Sequence, residues 1–267
     1  ANKNTKNMQE RHINRKLYFE ELSITSEKYI IPYIETYKKV ENGLSVLEIG
    51  CGDGGNCLPF ALKGCDVTGI DVNTQRISEA RQSFADKGLN SRFEIDDIRD
   101  LQQSYGKFDI ILCHDVIEHV DKKELLLMNI SKLLNNNGIV FLAFPAWYMP
   151  FGGHQQICTN KLLSHFPWLH LLPKSMYGWV LKQKENKDCV EELLDIKRTQ
   201  ITIERFEKMI ARDKLLDIVN RKLYLINPHY ETKFGLRPRV LPKCFAKIPF
   251  FRNFLATTCF YILKNKD

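Results

Sequence analysis

The chain is expected to fold as an α/β protein on a doubly wound, mainly parallel sheet, and three features of the sequence predict this. Apolar runs of strand length recur at residues 45–49, 66–70, 92–95, 108–113 and 139–144, separated by stretches with helical spacing of apolar residues. The first run ends in a glycine cluster, Gly50-Cys51-Gly52-Asp53-Gly54-Gly55, which reads as a sharp turn into a helix. The second run is followed by Asp71, an acid at the carboxyl end of a strand, where sheets of this kind bind ligands.

Each element has its own signal. Residues 8–40 read as helices: Tyr29, Ile30, Ile31, Tyr33, Ile34 and Tyr37 form a stripe with helical spacing, and Pro32 is tolerable near a first turn. After the first strand and its turn, a helix is expected over 56–63 and the second strand over 66–70. Residues 73–86 form a helix with Ala80 and Phe84 inward. The third strand covers 92–95, the fourth 108–113, and a helix follows over 122–134. Asn135-Asn136-Asn137-Gly138 has the composition of a turn that stops this helix. The fifth strand, 139–144, is closed by Pro145.

The regular pattern then lapses. Residues 146–194 are aromatic, punctuated by proline, and hold all three tryptophans, Trp147, Trp168 and Trp179. They read as an insertion of short helices covering the ligand site. A helix at 202–211, a long strand at 216–226 and a strand at 255–263 complete the chain. Its organisation is therefore an N-terminal helical arm (1–40), a ligand-binding core (41–145), a lid and acceptor-binding insertion (146–200) and a C-terminal part of the core (201–267).

Composition narrows the class. With 44% hydrophobic and 27% charged residues, the 267-residue chain is an ordinary globular protein. None of its eight cysteines falls in a C-x-x-C pair, which favours a reducing compartment and argues against structural zinc. The polar start shows no signal peptide, and the most apolar stretch, 138–151, is too short for a bilayer and contains prolines. A cytoplasmic location is expected. The net charge of +7 is unevenly spread: residues 197–267 hold sixteen Lys/Arg and six Asp/Glu, leaving the remainder slightly acidic. The simple reading is a solvated basic face; the sharper ones are attraction to a membrane surface, a phosphorylated acceptor or a nucleic acid.

The glycine turn indicates a nucleotide-type ligand, but spacing alone leaves its kind open. Gly50, Gly52 and Gly55 satisfy G-x-G-x-x-G, and Asp71 lies at a distance suited to a dinucleotide-binding Rossmann unit. Three features point elsewhere. Glu48 precedes the first glycine by two residues; Phe93-Glu94-Ile95-Asp96-Asp97-Ile98 forms a second acidic turn; and Phe108 to Val120 runs from a strand into a Glu118-His119 pair. Taken in order, these motifs resemble the class I S-adenosylmethionine (SAM)-dependent methyltransferases, above all the subgroup that includes the ubiquinone-biosynthesis O-methyltransferases. The resemblance covers residues 29–145 and resumes near 201.

It implies a mixed, seven-stranded Rossmann-like sheet whose last strand is antiparallel, with SAM as cofactor and S-adenosylhomocysteine as product. Glu48 and the turn of Gly50, Cys51, Gly52 and Gly54 would lie against the methionine portion and ribose. Asp71 would take the ribose hydroxyls, its simpler reading being a helix N-cap, and Val72 would offer the adenine an apolar face. Asp97, with Asp96 as the competing choice, matches the family position for the adenine amino group, and Ile98 would contribute backbone. Cys113 and His114 fall where the family contacts the amino-acid end of the cofactor.

Two histidines are candidates for acceptor chemistry. His119 resembles the family's E-H-V element and either stands near the acceptor or orients its loop; His154, soon after the fifth strand, either takes a proton from a hydroxyl or pins the lid. His165 and His170, among aromatics, read as packing residues. No histidine has metal-ligand spacing and no acidic cluster suits magnesium, so no metal is expected. Asn227-Pro228-His229-Tyr230 looks like the N-P-P-Y element of adenine-N6 methyltransferases but follows the sixth strand instead of the fourth, so it reads as a turn.

The expected activity is SAM-dependent methyl transfer to a small-molecule, lipid-linked or saccharide-linked acceptor, at oxygen, with aromatic walls from the insertion. The alternatives are an RNA acceptor, less favoured, a non-catalytic SAM-binding regulator, and an NAD-dependent oxidoreductase. Pro249-Phe250-Phe251-Arg252-Asn253-Phe254, near Lys243 and Lys247, could rest on a membrane; the simpler expectation is that its phenylalanines pack under the last strand.

Overall fold

Along the middle strands, apolar side chains occupy successive positions, so both sheet faces must be covered. The computed structural model, which describes residues 15–101 and 103–266, shows how. Strands β1 (Ser45–Ile49), β2 (Asp66–Asp71), β3 (Arg92–Ile95), β4 (Phe108–His114), β5 (Leu134–Phe144), β6 (Leu216–Ile226), β7 (Arg239–Val240) and β8 (Thr258–Asn265) form one sheet in the order β3-β2-β1-β4-β5-β8-β6-β7. The first five strands run parallel, and β8 lies antiparallel between β5 and β6. The fold is thus the mixed α/β sheet expected, with eight strands instead of seven. The additional strand is β7, two residues paired with β6 at Tyr224 and Ile226, too short to leave a periodic signal.

The period of two along each strand assigns its side chains to opposite layers. Val46, Ile110, Leu112, Phe141, Phe260 and Ile262 face one core; Leu47, Ile111, Cys113, Leu142, Tyr261 and Leu263 face the other. Helices α1 (Arg15–Thr25), α2 (Ile31–Glu35), α3 (Leu58–Leu62) and α4 (Thr74–Ala85) contribute to the first core through Phe19, Ile34, Phe60 and Phe84. Helix α5 (Lys123–Leu133) contributes to the second. Residues 146–200 carry α6 (Lys161–His165), α7 (Lys174–Lys182) and α8 (Lys187–Thr199), which close on a third core of Trp147, Cys158, Tyr177, Leu181 and Leu193. Helix α9 (Ile203–Asp213) returns to the second core with Phe206, Met209 and Ile210, its N-terminus capped by Thr202 Oγ1, which accepts from Arg205 N at 3.1 Å. The remaining short helices are α10 (His229–Phe234), α11 (Lys243–Ala246) and α12 (Arg252–Leu255).

Three expectations need correction. Residues 135–138 are not a turn: β5 begins at Leu134, directly after α5, because fully buried Leu134 pairs with Phe108 and draws the chain into the sheet. The Asn run is the irregular start of that strand, before Ile139 takes up register with Ile110. The tail phenylalanines do not pack under the last strand: Phe250, Phe251 and Phe254 are exposed. Their segment is held instead by polar anchors on α9. Arg252 Nε donates to Glu204 Oε1 and Arg252 Nη2 to Glu207 Oε2, both at 2.8 Å, while Asn253 Oδ1 accepts from Ile203 N at 2.9 Å. The third correction concerns the tryptophans. Trp147 belongs to the insertion's own core and Trp168 and Trp179 are exposed, so the helices there are organised around a small hydrophobic centre.

Phe141 shows how tightly the first layer is packed: its ring meets Phe260 edge-on at 4.9 Å and Tyr33 at 6.3 Å between centroids, and it is fully buried. Phe141→Ala should lower unfolding free energy by about 3–5 kcal/mol in denaturant titration, the range for a truncated core aromatic. A loss under about 1 kcal/mol would mean that this layer is not packed as described.

Candidate active site

The site is built outward from the turn after β1. At Gly50 the backbone is left-handed (φ +67°), and a Cβ there would lie 2.4 Å from Val116 Cγ2, so only glycine fits. The turn is held from β2, whose Ile70 carbonyl accepts from Gly50 N at 2.8 Å and Cys51 N at 3.0 Å. Asp71 completes the anchor: Oδ2 accepts from Gly52 N at 2.9 Å and Oδ1 from Asn73 N at 2.8 Å. Asn73, not Asp71, is the N-cap of α4, its Oδ1 accepting from Arg76 N. The aspartate is left with unused lone pairs on both oxygens, since an ionised carboxylate offers about four acceptor sites.

A cavity of about 1040 Å³ opens at this edge, between the ends of β1, β2, β3 and β4 and the insertion. Gly50, Asp71, Val72, Asp97 and Ile98, five of the eleven positions proposed for the cofactor, line it. The other six, Glu48, Cys51, Gly52, Gly54, Cys113 and His114, are not on its wall. Glu48 is the plainest correction. The strand runs on to Ile49, and Glu48 turns inward, buried, to accept from Asn56 Nδ2 at 2.8 Å and Cys57 Sγ at 2.9 Å. Burial pushes its carboxyl up to about 7. It braces the turn from behind instead of facing the cavity. Cys51 and Cys113 are buried in the two sheet cores, and His114 Nδ1 lies 3.2 Å from Asn56 Nδ2 in the same brace. Gly52 acts through its N–H on Asp71, and Gly54 faces the rings of Phe84 and Phe93.

At the far end both aspartates of the second acidic turn line the cavity. The Asp97 carboxylate is gripped by Arg99, whose Nη2 donates at 2.6 Å and whose Nε lies 2.9 and 3.0 Å from the two oxygens; the guanidinium holds this carboxyl below its ordinary range. Arg99 also pairs with Asp121 at 2.7 Å. Asp96, buried, accepts from Tyr105 OH at 2.6 Å. Sequence reasoning missed Arg99, as it missed Tyr18, Arg76, Asp115, Val116 and Glu192, which also line the cavity. Asp115, left-handed in the structure (φ +54°), follows directly on the fourth strand, whereas Tyr18 and Glu192 arrive from distant helices and left no signal.

Beside the same cavity lies a cluster of three ionisable groups. Glu118 is buried, and neither carboxylate oxygen has a hydrogen-bond partner among the described residues. His119 Nε2 and His154 Nε2 lie 3.8 and 3.9 Å from its Oε1, and the two imidazoles meet edge to face at 5.0 Å. Desolvation raises the Glu118 carboxyl well above its usual value, lowers His119, and holds His154 at about 3. Both imidazoles are therefore neutral near pH 7 with a free ring nitrogen. Both line the cavity, so the structure brings His119 and His154 together, with the unanticipated Glu118 between them. One ligand atom from each of the three lies within 4.8 Å of the others, a gathering that no local spacing in the sequence announced. His170 is a packing residue, its Nε2 2.7 Å from Trp147 O, and His165 is exposed. The 227–230 turn packs on α1, where Thr25 Oγ1 meets His229 Nδ1 at 3.1 Å.

Residues 40–192 match a family model described as a methyltransferase domain, more than half of the chain. The chain is 34% identical over 102 residues to the ubiquinone biosynthesis O-methyltransferase of Brucella anthropi, covering 38% of this chain and 41% of that one. It is 29% identical over 186 residues to the enzyme of that name from Bartonella tribocorum, covering 66% and 71%. The chain spans about half or less of the length of several curated relatives that it matches. Among solved structures, a SAM-dependent methyltransferase from Clostridium acetobutylicum superposes with a TM-score of 0.58 at 15% identity, over 97% of this chain and 96% of that one. Magnesium protoporphyrin IX methyltransferase from Synechocystis, crystallised with S-adenosylhomocysteine, does so with a TM-score of 0.54 at 16% identity, over 92% and 84%. These likenesses share the fold, and because the family match takes in the glycine turn, Asp71, the acidic turn and the Glu118-His119-His154 cluster, the chain belongs to the methyltransferase-domain family.

Proposed function

We propose that the protein transfers a methyl group from SAM to a hydroxyl oxygen of a small-molecule, lipid-linked or saccharide-linked acceptor. One observation carries this reading: a single cavity holds a carboxylate with free lone pairs at one end and two neutral imidazoles around a buried carboxyl group at the other. The family match supports methyl transfer, and the likeness to the O-methyltransferases of Brucella and Bartonella supports oxygen as the acceptor atom.

The residues present fit the cofactor. The Gly50 turn leaves a cradle that a Cβ would disrupt, and Asp71 can accept from two neighbouring hydroxyls. Exposed Val72 and buried Ile98 offer apolar surface to a flat ring. When bound, the cofactor supplies an electrophilic methyl carbon on a positively charged sulfur. The chain's contribution is to bind, align and exclude water. His154 accepts the proton of the acceptor hydroxyl at a ring nitrogen, and Glu118, whose Oε1 lies 3.9 Å from its Nε2, orients the ring. His119 shares this carboxylate and keeps the His154 ring edge-on. Contrary to the expected aromatic lid, the insertion lines the cavity with His154, Ile157, Thr159 and Glu192 and no aromatic ring other than the imidazole, which suits an acceptor with polar substituents.

His154→Ala should lower kcat about 10²–10⁴-fold, the range for a lost general base, while leaving SAM affinity nearly unchanged. The assay is transfer of labelled methyl from SAM to a panel of phenols and polyprenyl phenols, with His119→Ala alongside. Full turnover by His154→Ala would contradict its role as base; tight SAM binding with no transfer by the wild type would favour a non-catalytic binding protein. The same burial predicts a pH effect on stability. His154 at about 3 and His170 at about 4 both lie below the ordinary 6.5, so the fold takes up neutral rings. Their contribution is complete above pH 6.5 and is lost as pH falls through that value toward 4. Thermal unfolding should show Tm declining across this window and declining less in His154→Gln/His170→Gln; an equal decline in both proteins would contradict the assignment.

A further inference from the structure

The exposed tail phenylalanines belong to a face that methyl transfer does not explain. From Thr232 to Lys266 the chain has eight Lys/Arg and no Asp or Glu. Phe245, Ile248, Phe250 and Phe251 are 42, 45, 67 and 46% exposed, with Arg237, Arg239, Lys243 and Lys247 exposed in the same stretch. Among the described residues, none of these four cations is in an ion pair. Apolar side chains of this size gathered on one surface mark an interaction site.

The segment is fixed, not frayed. Phe250 has a left-handed backbone (φ +63°), unusual for an aromatic residue, and its N–H donates to Glu204 Oε1 at 2.9 Å. Asn253 Nδ2 donates to Glu204 Oε2 at 2.6 Å, and Arg252, itself buried, bridges Glu204 and Glu207. A strained residue held by a buried polar anchor keeps a phenyl ring in solvent, the kind of strain found at functional surfaces. Topology places the face at the cavity edge of the sheet. Phe144, at the end of β5, pairs with Cys259 at the start of β8, and Tyr224, near the end of β6, pairs with Val240 and Thr258. Phe254 stacks on Tyr148 at 5.2 Å, in the same insertion that carries His154.

We propose that this face docks on an anionic lipid bilayer, with Phe250 and Phe251 entering the interface and Arg237, Arg239, Lys243 and Lys247 meeting phosphate headgroups. The charge selects this occupant. A second copy joined on the same face by a two-fold axis would set cations against cations. Nucleic acid would satisfy the cations but not aliphatic Ile248 and Val240, which offer no stacking plane. A bilayer satisfies both, since interfacial binding adds buried apolar area to attraction for anionic lipid. The docked edge is the one that opens to the cavity, which deepens the reading of a lipid-linked acceptor. It rests on that reading only for the acceptor, because bilayer binding needs no turnover.

The test is flotation of the full chain with vesicles of phosphatidylcholine alone and of phosphatidylcholine mixed with phosphatidylglycerol, with SAM titration as the separate check on the cofactor site. The expected result is salt-sensitive binding to the mixed vesicles only. It should weaken by about tenfold or more in Phe250→Ser/Phe251→Ser and in Lys243→Glu/Lys247→Glu, with SAM affinity unchanged in both. Absence of binding to the mixed vesicles would overturn the proposal. So would equal binding by both double variants, or a wild-type dimer that Phe250→Ser/Phe251→Ser converts to monomer without any vesicle binding.

Discussion

The backbone leaving β1 turns left-handed at Gly50 and passes Val116 so closely that a single methyl group would collide with it. That approach fixes where α3 begins, where the N–H of Gly52 points, and hence how Asp71 is held at the end of β2. The turn is braced on its hidden side by Glu48, a buried carboxyl whose desolvation is offset by hydrogen bonds from Asn56 and Cys57. Two neighbouring strand ends therefore carry two kinds of acid: Glu48 of β1 inside, holding the turn, and Asp71 of β2, turned toward the cavity.

The cavity joins two regions of different construction. One end is made of strand termini locked by parallel pairing and by the Asp97–Arg99–Asp121 ion pairs. The other is made of the turn after β4 and an insertion with a small core of its own. Glu118 is buried there and the two imidazoles are partly desolvated around it, which shifts all three toward their uncharged forms. Thr199, at the end of α8, donates through Oγ1 to the Glu118 carbonyl at 2.5 Å and ties the two sides together.

Most strands were legible in the sequence: 45–49, 92–95 and 216–226 coincide with β1, β3 and β6, and for β1 the reason is that a buried parallel strand writes a continuous apolar run. The Asn run at 135–138 misled because its composition is that of a turn, while the burial of Leu134 against Phe108 decided the conformation. The glycine turn and Asp71 were legible as local chemistry. Glu48 was misplaced because a strand's period of two, not its nearness to the turn, sets which way a side chain points. The Glu118 relay could not be read, since His119 and His154 lie thirty-five residues apart and only the fold brings them together. The outward phenylalanines likewise depend on a clamp between Glu204 and Arg252 that sequence alone does not reveal.

The central claim is that the Gly50 turn and Asp71 hold SAM. Calorimetric titration of the wild type and Asp71→Ala with SAM, S-adenosylhomocysteine and NADH tests it most directly. The account predicts micromolar binding of SAM or its product, lost in the variant, and no response to NADH. Binding of NADH without SAM would contradict it and assign the turn to a dinucleotide.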